Sequence, residues 1–346
     1  MKTYNDLWDK FISKENFEIA CENSQKHGKK KQAQIVAFNK NREENLEKVR
    51  QLVIDGKFHT SEYRERTIFE PKERNIYILP YAPDRIVQHA VMNILSPILL
   101  SKMIDNTYSC IVGRGQIKAS LKCSGYVRKY DYCLKCDIRK FYPSINQIKL
   151  SEMLHRIIKD DKFMAVVDDI IFSFKDKEKP LKNIPIGNYT SQWLGNYYLT
   201  RLDNFVYHEL KCHGYERFCD DFMLFSNDKE YLHKCRVRLS EFLKNELDLE
   251  FSKADVFHTK QGVDFCGYRH FRKYVLVRKN TTKRLKRRVR RIKKKLDNDD
   301  CDIELVRGQL ASGNGVMSHA CTHHLRVALD YDKLTKLAME RSKLCQ

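Results

Sequence analysis

The stretch that decides the fold is Tyr215–Ser226, YERFCDDFMLFS. Two apolar runs of strand-forming residues flank an adjacent pair of carboxylates, Asp220 and Asp221, and the pattern reads as two short strands around an acidic turn. Such a pair is electrostatically awkward, because each carboxylate disfavours ionisation of the other and burial disfavours both. A divalent cation resolves the repulsion, and an all-oxygen donor set suits Mg²⁺. An Asp-Asp in a hairpin is also commonly a plain turn, so the pair decides little alone. Company for it lies upstream, where YDYCLKCDI (130–138) reads as a buried strand closing on Asp137, with Phe141-Tyr142 shortly after. Two strands delivering carboxylates to one sheet edge can hold two metal ions ~3.5–4 Å apart, the arrangement that serves in-line phosphoryl transfer.

Working outward, IPIGNYTSQ (184–192) places Gly187 where the backbone can be approached closely, ahead of a helix. The polar residues after it either contact a template or nucleotide at the helix start or simply cap the helix, with Asn188 or Thr190 as the cap. Residues 1–60 read as a basic helical extension with apolar positions at Leu46, Val49 and Val53. A β-rich stretch follows in YRERTIFEPKERNIYILPY (63–81). APDRIVQHAVMNILSPILL (82–100) then predicts a helix capped by Asp84, with Ile86, Val87, Ala90 and Ile94 on its apolar face. Gly113 and Gly115 mark a loop, 146–175 is helical, and a long helix follows Asn188. LDLEFSKADVFHTKQGVDFCGYRHF (247–271) supplies two or three more strands. SGNGVMSHACTHHL (312–325) reads as a loop leading into a final helix.

Sixty-five Lys plus Arg against 45 Asp plus Glu give a formal charge of +20, which points to a polyanionic partner, nucleic acid before an anionic membrane. The charge is concentrated: ten of the thirteen residues Lys283–Lys295 are Lys or Arg, while Leu285, Val289, Ile292 and Leu296 keep helical spacing. The segment therefore writes a helix with one apolar seam and a basic face. Lys283, Arg284, Arg287, Arg288 and Arg291 are its candidate phosphate contacts. No apolar run approaches the length that spans a bilayer. The N-terminus lacks a secretion-signal pattern, and twelve cysteines then suggest buried thiols in a reducing cytoplasm. Cys133-x-x-Cys136 has zinc-ligand spacing but lies within a strand, where positions three apart face opposite sides. His319, Cys321, His323 and His324 read as surface and packing residues, and Gln88-His89 as a core or RNA-contacting pair.

The order KCDIRKFYPSI, IPIGNYTSQWLGNYYL, YERFCDDFMLF, VDFCGY resembles the successive palm motifs of reverse transcriptases. Thr190-Ser191-Gln192 is similar to the diversity-generating retroelement enzymes within the group II intron-like bacterial superfamily. EPKERNIYILPYAPDRIVQHAVMNILSPIL, NTYSCIVGRGQIKA and LASGNGVMSHACTHHL extend the resemblance from about residue 27 to the C-terminus. It implies an α+β right-hand polymerase fold: an N-terminal extension over 1–60, fingers over 61–130, an antiparallel palm over 131–270 with finger elements at about 146–185, and a helical thumb over 271–346. It implies that Asp137, Asp220 and Asp221 bind two Mg²⁺ ions (Mn²⁺ being the alternative), helped by the Ile138 carbonyl. Tyr142 would sit beneath the sugar and exclude a 2′-hydroxyl. Lys72 and Arg74 would bind the incoming triphosphate, Ile186, Gly187 and Gln192 would line the nucleotide and template pocket, and Lys253 would lie near the leaving phosphates. Cys266-Gly267-Tyr268 would support the primer end. The implied partners are template RNA, an RNA/cDNA duplex, deoxynucleoside triphosphates and an accessory variability-determinant protein forming a homopentamer, in a bacterial or phage-encoded cytoplasmic system. Two departures stand out: Phe218 replaces the usual tyrosine two places before the paired aspartates, with Cys219 between, and Cys266 replaces a usual leucine. The rival readings are a retron, intron or antiphage enzyme, and a non-catalytic RNA-binding scaffold. The short stretch after the thumb argues against the intron class, and the three intact aspartates argue against the scaffold.

Overall fold

The computed structural model describes residues 2–26, 28–69, 73–176, 178–297 and 302–344. Helices α1 (Trp8–Phe11), α2 (Lys14–Ser24), α3 (Ala33–Asn39) and α4 (Arg42–Ile54) form the N-terminal region, and strands β1 (Arg64–Ile68) and β2 (Arg74–Ile78) pair as an antiparallel hairpin. Helix α5 (Ile86–Leu100) is the most apolar of the chain and packs against α2 with Ile86, Val87, Ala90 and Leu95 fully buried. The predicted Ile94 packs partly buried against the same core, and the fully buried Leu95 joins that face. Asp84 does not cap α5. Its buried carboxylate instead accepts from the Ser61 amide and hydroxyl, both at 2.8 Å, tying the approach to β1 onto the helix entry.

After α6 (Gln116–Lys129) come β3 (Tyr132–Ile138), α7 (Phe141–Ser144), α8 (Gln147–His155) and α9 (Asp161–Phe172). The long helix expected after Asn188 is broken into α10 (Tyr189–Tyr198) and α11 (Thr200–Asn204). Then follow β4 (Tyr215–Phe218), β5 (Asp221–Ser226), α12 (Lys229–Leu247) and β6 (Phe251–His258). Strands β3 to β6 build one antiparallel sheet in the order β4-β5-β3-β6. Alternation along β3 divides its side chains between two cores: Leu134, Cys136 and Ile138 enter the large one, shared with α5, α10 and α12, while Cys133 enters a smaller one with α6, β5 and β7. The two cysteines of the C-x-x-C thus lie on opposite faces, as strand geometry requires.

Strands β7 (Val263–Phe265), β8 (Tyr268–His270) and β9 (Val275–Val277) form a second small sheet. The C-terminal helices α13 (Lys279–Asp297), α14 (Ile303–Met317), α15 (His323–Ala328) and α16 (Tyr331–Leu344) gather around a core of their own. In α13 the seam Leu285, Val289, Ile292 and Leu296 is buried in that core. The glycine-containing stretch Ser312–Met317, expected as a loop, is the last part of α14. Gly313 is needed there, because a Cβ would come within 2.2 Å of the Tyr331 hydroxyl. A helix buried tightly against α16 overrides the low helix propensity of two glycines.

Candidate active site

The β4–β5 hairpin closes with Phe218 opposite Asp221, leaving Cys219 and Asp220 as its two-residue turn. Cys219 sits at φ +58, the left-handed region that tight hairpins demand. Asp221 then lies directly across from Asp137 in the β3–β5 ladder, and Asp137 lies directly across from Lys253 in the β3–β6 ladder. Paired residues of an antiparallel ladder project to the same face with Cα atoms ~4.5–5.5 Å apart. Asp137, Asp221 and Lys253 therefore share one end of one sheet face, with Asp220 at the adjoining turn. A register irregularity between Asp137 and Ile138 bends β3 at this point.

Burial raises the carboxyl pKa of Asp220 above the ordinary range, and the charge of Asp137 adds to it while Arg74 opposes it. Burial raises Asp221 as well, Lys135 opposes that, and Asp137 and Asp220 reinforce it. Two arrangements relieve the crowding. Lys135 Nζ lies 3.1 Å from Asp221 Oδ2 and also donates to the Asp264 carbonyl in β7. Ser252 Oγ donates to Asp137 Oδ2. Among the described residues, no three or more His, Cys, Asp or Glu side chains are gathered as a metal site. Asp221 Oδ1, however, is buried with no hydrogen-bond partner. A buried acceptor with nothing to accept from, beside two more carboxylates, is a donor set that fits a hard divalent cation.

The turn is fixed from below by Arg217. Its guanidinium is fully buried and paired with Asp203 in a fork, Nε to Oδ1 at 2.8 Å and Nη2 to Oδ2 at 2.6 Å. Its Nη1 donates to Asn196 Oδ1 and to the Cys219 carbonyl, both at 3.1 Å. One side chain thus links α10, α11 and the hairpin turn. Sequence reading missed Arg217, Lys135 and Ser252. The signal for the first two was a cation inside a segment that reads as a buried strand, Arg217 in YERF and Lys135 in CLKCDI.

Tyr142 packs beside the turn with its hydroxyl 3.5 Å from Cys219 Sγ, and Gly195 of α10 leaves room for the Phe141 and Tyr142 rings. Burial pushes the Cys219 thiol up to about 12, leaving it a neutral packing group. Gly187, at φ +130, lies against β2: a Cβ there would come 2.2 Å from the Tyr77 carbonyl oxygen, and the Tyr77 amide donates to Ile186 at 2.8 Å. The glycine is thus required by the hairpin docked on it. Gln192 and Arg74 are exposed, and Lys253 is exposed and paired with Asp255 at 3.0 Å. Lys72 lies outside the described residues. Cys266 (φ +48) and Gly267 (φ +85) are the two central residues of the β7–β8 turn, and the Tyr268 hydroxyl donates to Val316 in α14 at 3.0 Å. Lys283, Arg284, Arg287, Arg288 and Arg291 are all exposed, opposite the buried seam of α13. His89 is buried and stacked on Tyr189 with centroids 4.1 Å apart, and burial lowers its pKa to about 4, which keeps it neutral.

No curated protein matches the chain. Among solved structures, the chain is similar to a telomerase from Candida albicans in complex with a fragment of telomeric RNA. The two are 12% identical with a TM-score of 0.51, over 82% of this chain and 61% of that one. It is also similar to apo telomerase from Candida tropicalis truncated from its C-terminal domain, at 14% identity and a TM-score of 0.47, over 68% of this chain and 60% of that one. The chain therefore spans about three fifths of the length of these structures, and at 12% identity the likeness to the Candida albicans structure shows the fold alone, a right-hand polymerase. The family model for reverse transcriptase (RNA-dependent DNA polymerase) matches residues 70–270. That match covers more than half of the sequence and contains the Asp137, Asp220 and Asp221 sheet end, so the chain belongs to the reverse transcriptase family.

Proposed function

We propose that this chain is an RNA-directed DNA polymerase that copies a template-repeat RNA into cDNA for mutagenic retrohoming, with errors concentrated at template adenines. The observation that carries the polymerase reading is the ladder register that sets Asp137 opposite Asp221 at the mouth of the Asp220 turn. Two bound Mg²⁺ ions would supply charge neutralisation at the primer hydroxyl and at the departing pyrophosphate. The residues that would hold them are Asp137, Asp220 and Asp221 with the Ile138 carbonyl. Tyr142, backed by Gly195, supplies a rigid floor that discriminates against a ribose 2′-hydroxyl. Arg74 and Lys253 supply positive charge beside the acidic end, and the exposed basic face of α13 tracks phosphates of the RNA/cDNA duplex.

The division into extension (1–60), fingers (61–130), palm (131–270) and thumb (271–346) belongs to the same reading. So do the cytoplasmic setting and the homopentameric accessory protein. The retroelement assignment is supported by Thr190-Ser191-Gln192 at the start of α10 and by the resemblance of the segments around it. Sequencing cDNA made by the purified chain with its cognate RNA and accessory protein tests this assignment. Substitutions clustered opposite template adenines are the expected result. Errors spread evenly over the four template bases would remove the retroelement assignment and leave the polymerase standing.

A further inference from the structure

Beyond the carboxylate end of β3, the chain turns through Lys140, held at φ +43, before entering α7. A lysine adopts this left-handed conformation only at a cost. On the outer side of the turn lies a polar cavity of about 400 Å³. Arg139 and Lys140 line it from the turn, Lys179 and Lys182 from the loop ahead of α10, and Lys244 from the last turn of α12. Two carboxylates, Asp248 and Glu250, share the lining and leave it a net formal charge of +3.

Those carboxylates do not use up the lysines. Asp248 is engaged by Lys149 Nζ at 2.9 Å and Asn146 Nδ2 at 2.8 Å, and Glu250 lies 4.0 Å from Arg139. Among the described residues, the ammonium groups of Lys140, Lys179 and Lys244 make no hydrogen bond or ion pair, and Lys182 meets Asp248 only through longer-range attraction. Five cationic groups facing one concavity repel one another, and an anion that bridges several of them relieves that repulsion.

We propose that this cavity is a polyphosphate site that receives two or three linked phosphates, either inorganic pyrophosphate or the phosphate tail of a nucleotide. Its volume of about 400 Å³ suits a short phosphate chain. Its net charge matches the charge of about −3 that pyrophosphate carries near neutral pH. Arg139 and Lys140 follow Asp137 by two and three residues, so the site adjoins the place where nucleotidyl transfer would release pyrophosphate. In that respect it deepens the proposed function and rests on it.

The test is isothermal titration of the full chain with inorganic pyrophosphate in Mg²⁺-free buffer. The lysine variant is Lys179→Ala/Lys182→Ala/Lys244→Ala, and the charge-matched control is Lys10→Ala/Lys14→Ala/Lys26→Ala, three exposed lysines of the N-terminal region. The expected result is stoichiometric binding by the parent and the control, at least tenfold weaker in the lysine variant. Asp220→Ala/Asp221→Ala should bind like the parent. Binding that survives the lysine substitutions, or fails equally in the control, overturns the proposal. Displacement of pyrophosphate by deoxyadenosine triphosphate, with deoxyadenosine without effect, marks the nucleotide tail as a source; pyrophosphate binding that deoxyadenosine triphosphate does not displace marks the leaving group. Displacement by a short RNA with the same sensitivity to the three lysines reassigns the surface to RNA and refutes a polyphosphate site. Because binding is read without turnover, failure of DNA synthesis and failure of this proposal are separate results.

Discussion

The palm-like sheet and the C-terminal helices are both basic-protein architecture, yet they spend their charged residues in opposite ways. At the carboxylate end of the sheet, charges are paired within the fold: Arg217 with Asp203, fully buried, and Lys135 with Asp221, partly buried. In α13 the charges point outward, and a four-residue seam holds the helix in a core that shares no member with the sheet's. The first arrangement holds its groups in one geometry. The second presents charge without fixing a partner's sequence. A site that must orient carboxylates needs the former, whereas a surface that must follow a moving phosphate backbone needs the latter.

The comparison predicts that Arg217→Met is the most damaging single change away from the carboxylates. It leaves Asp203 charged and unpaired in the interior, so unfolding free energy should fall by ~3–5 kcal/mol. Chemical denaturation measures this, and a double Arg217→Met/Asp203→Leu variant should recover part of the loss. Equal midpoints for Arg217→Met and the parent would mean that the pair does not hold the turn. Next in size is Gly187→Ala, which meets the Tyr77 carbonyl and a backbone region unfavourable to L-residues. A loss of ~1–3 kcal/mol is expected, with faster hydrogen exchange across β1 and β2. Unchanged protection of those strands would show that the hairpin is not held by this contact.

On the other side of the comparison, Arg287→Gln/Arg288→Gln/Arg291→Gln should leave stability within about 0.5 kcal/mol. It should weaken RNA/DNA duplex binding about tenfold or more and flatten the slope of log affinity against log salt by about 2–3. An unchanged salt slope would remove α13 from the duplex interface.

The smallest effect concerns Glu216, fully buried in β4 with neither carboxylate oxygen hydrogen-bonded. Burial holds its pKa well above the ordinary 4.5. Its contribution to stability is therefore intact below the unfolded value and is lost as pH rises through the folded one. Glu216→Gln should then gain about 1 kcal/mol at pH 8 and nothing at pH 4, read from denaturation midpoints at the two pH values. A gain equal at both pH values would contradict a neutral Glu216.

Periodicity made much of this legible in the sequence. The α13 seam, the alternation along β3 and the turn at Cys219-Asp220 all follow from local pattern, and the three aspartates followed from their strands. Failures came where tertiary contacts decided. Asp84 had the right type and position for a cap, but Ser61 offers it a better-placed pair of donors. Ser312–Met317 looked like a loop, yet close packing on Tyr331 makes glycine useful inside a helix. Lys135, Ser252 and Arg217 reach partners 86, 115 and 14 residues away, separations that no local pattern reports.

The central claim, that one sheet end carrying Asp137, Asp220 and Asp221 performs RNA-templated DNA synthesis, is tested most directly by primer extension on an RNA template. The account predicts deoxynucleotide incorporation that requires Mg²⁺ or Mn²⁺, falls at least a thousandfold in Asp220→Asn and Asp221→Asn, and leaves both variants folded by circular dichroism. Incorporation that persists in the folded aspartate variants would contradict it, as would no incorporation by the parent chain supplied with its native RNA and accessory protein.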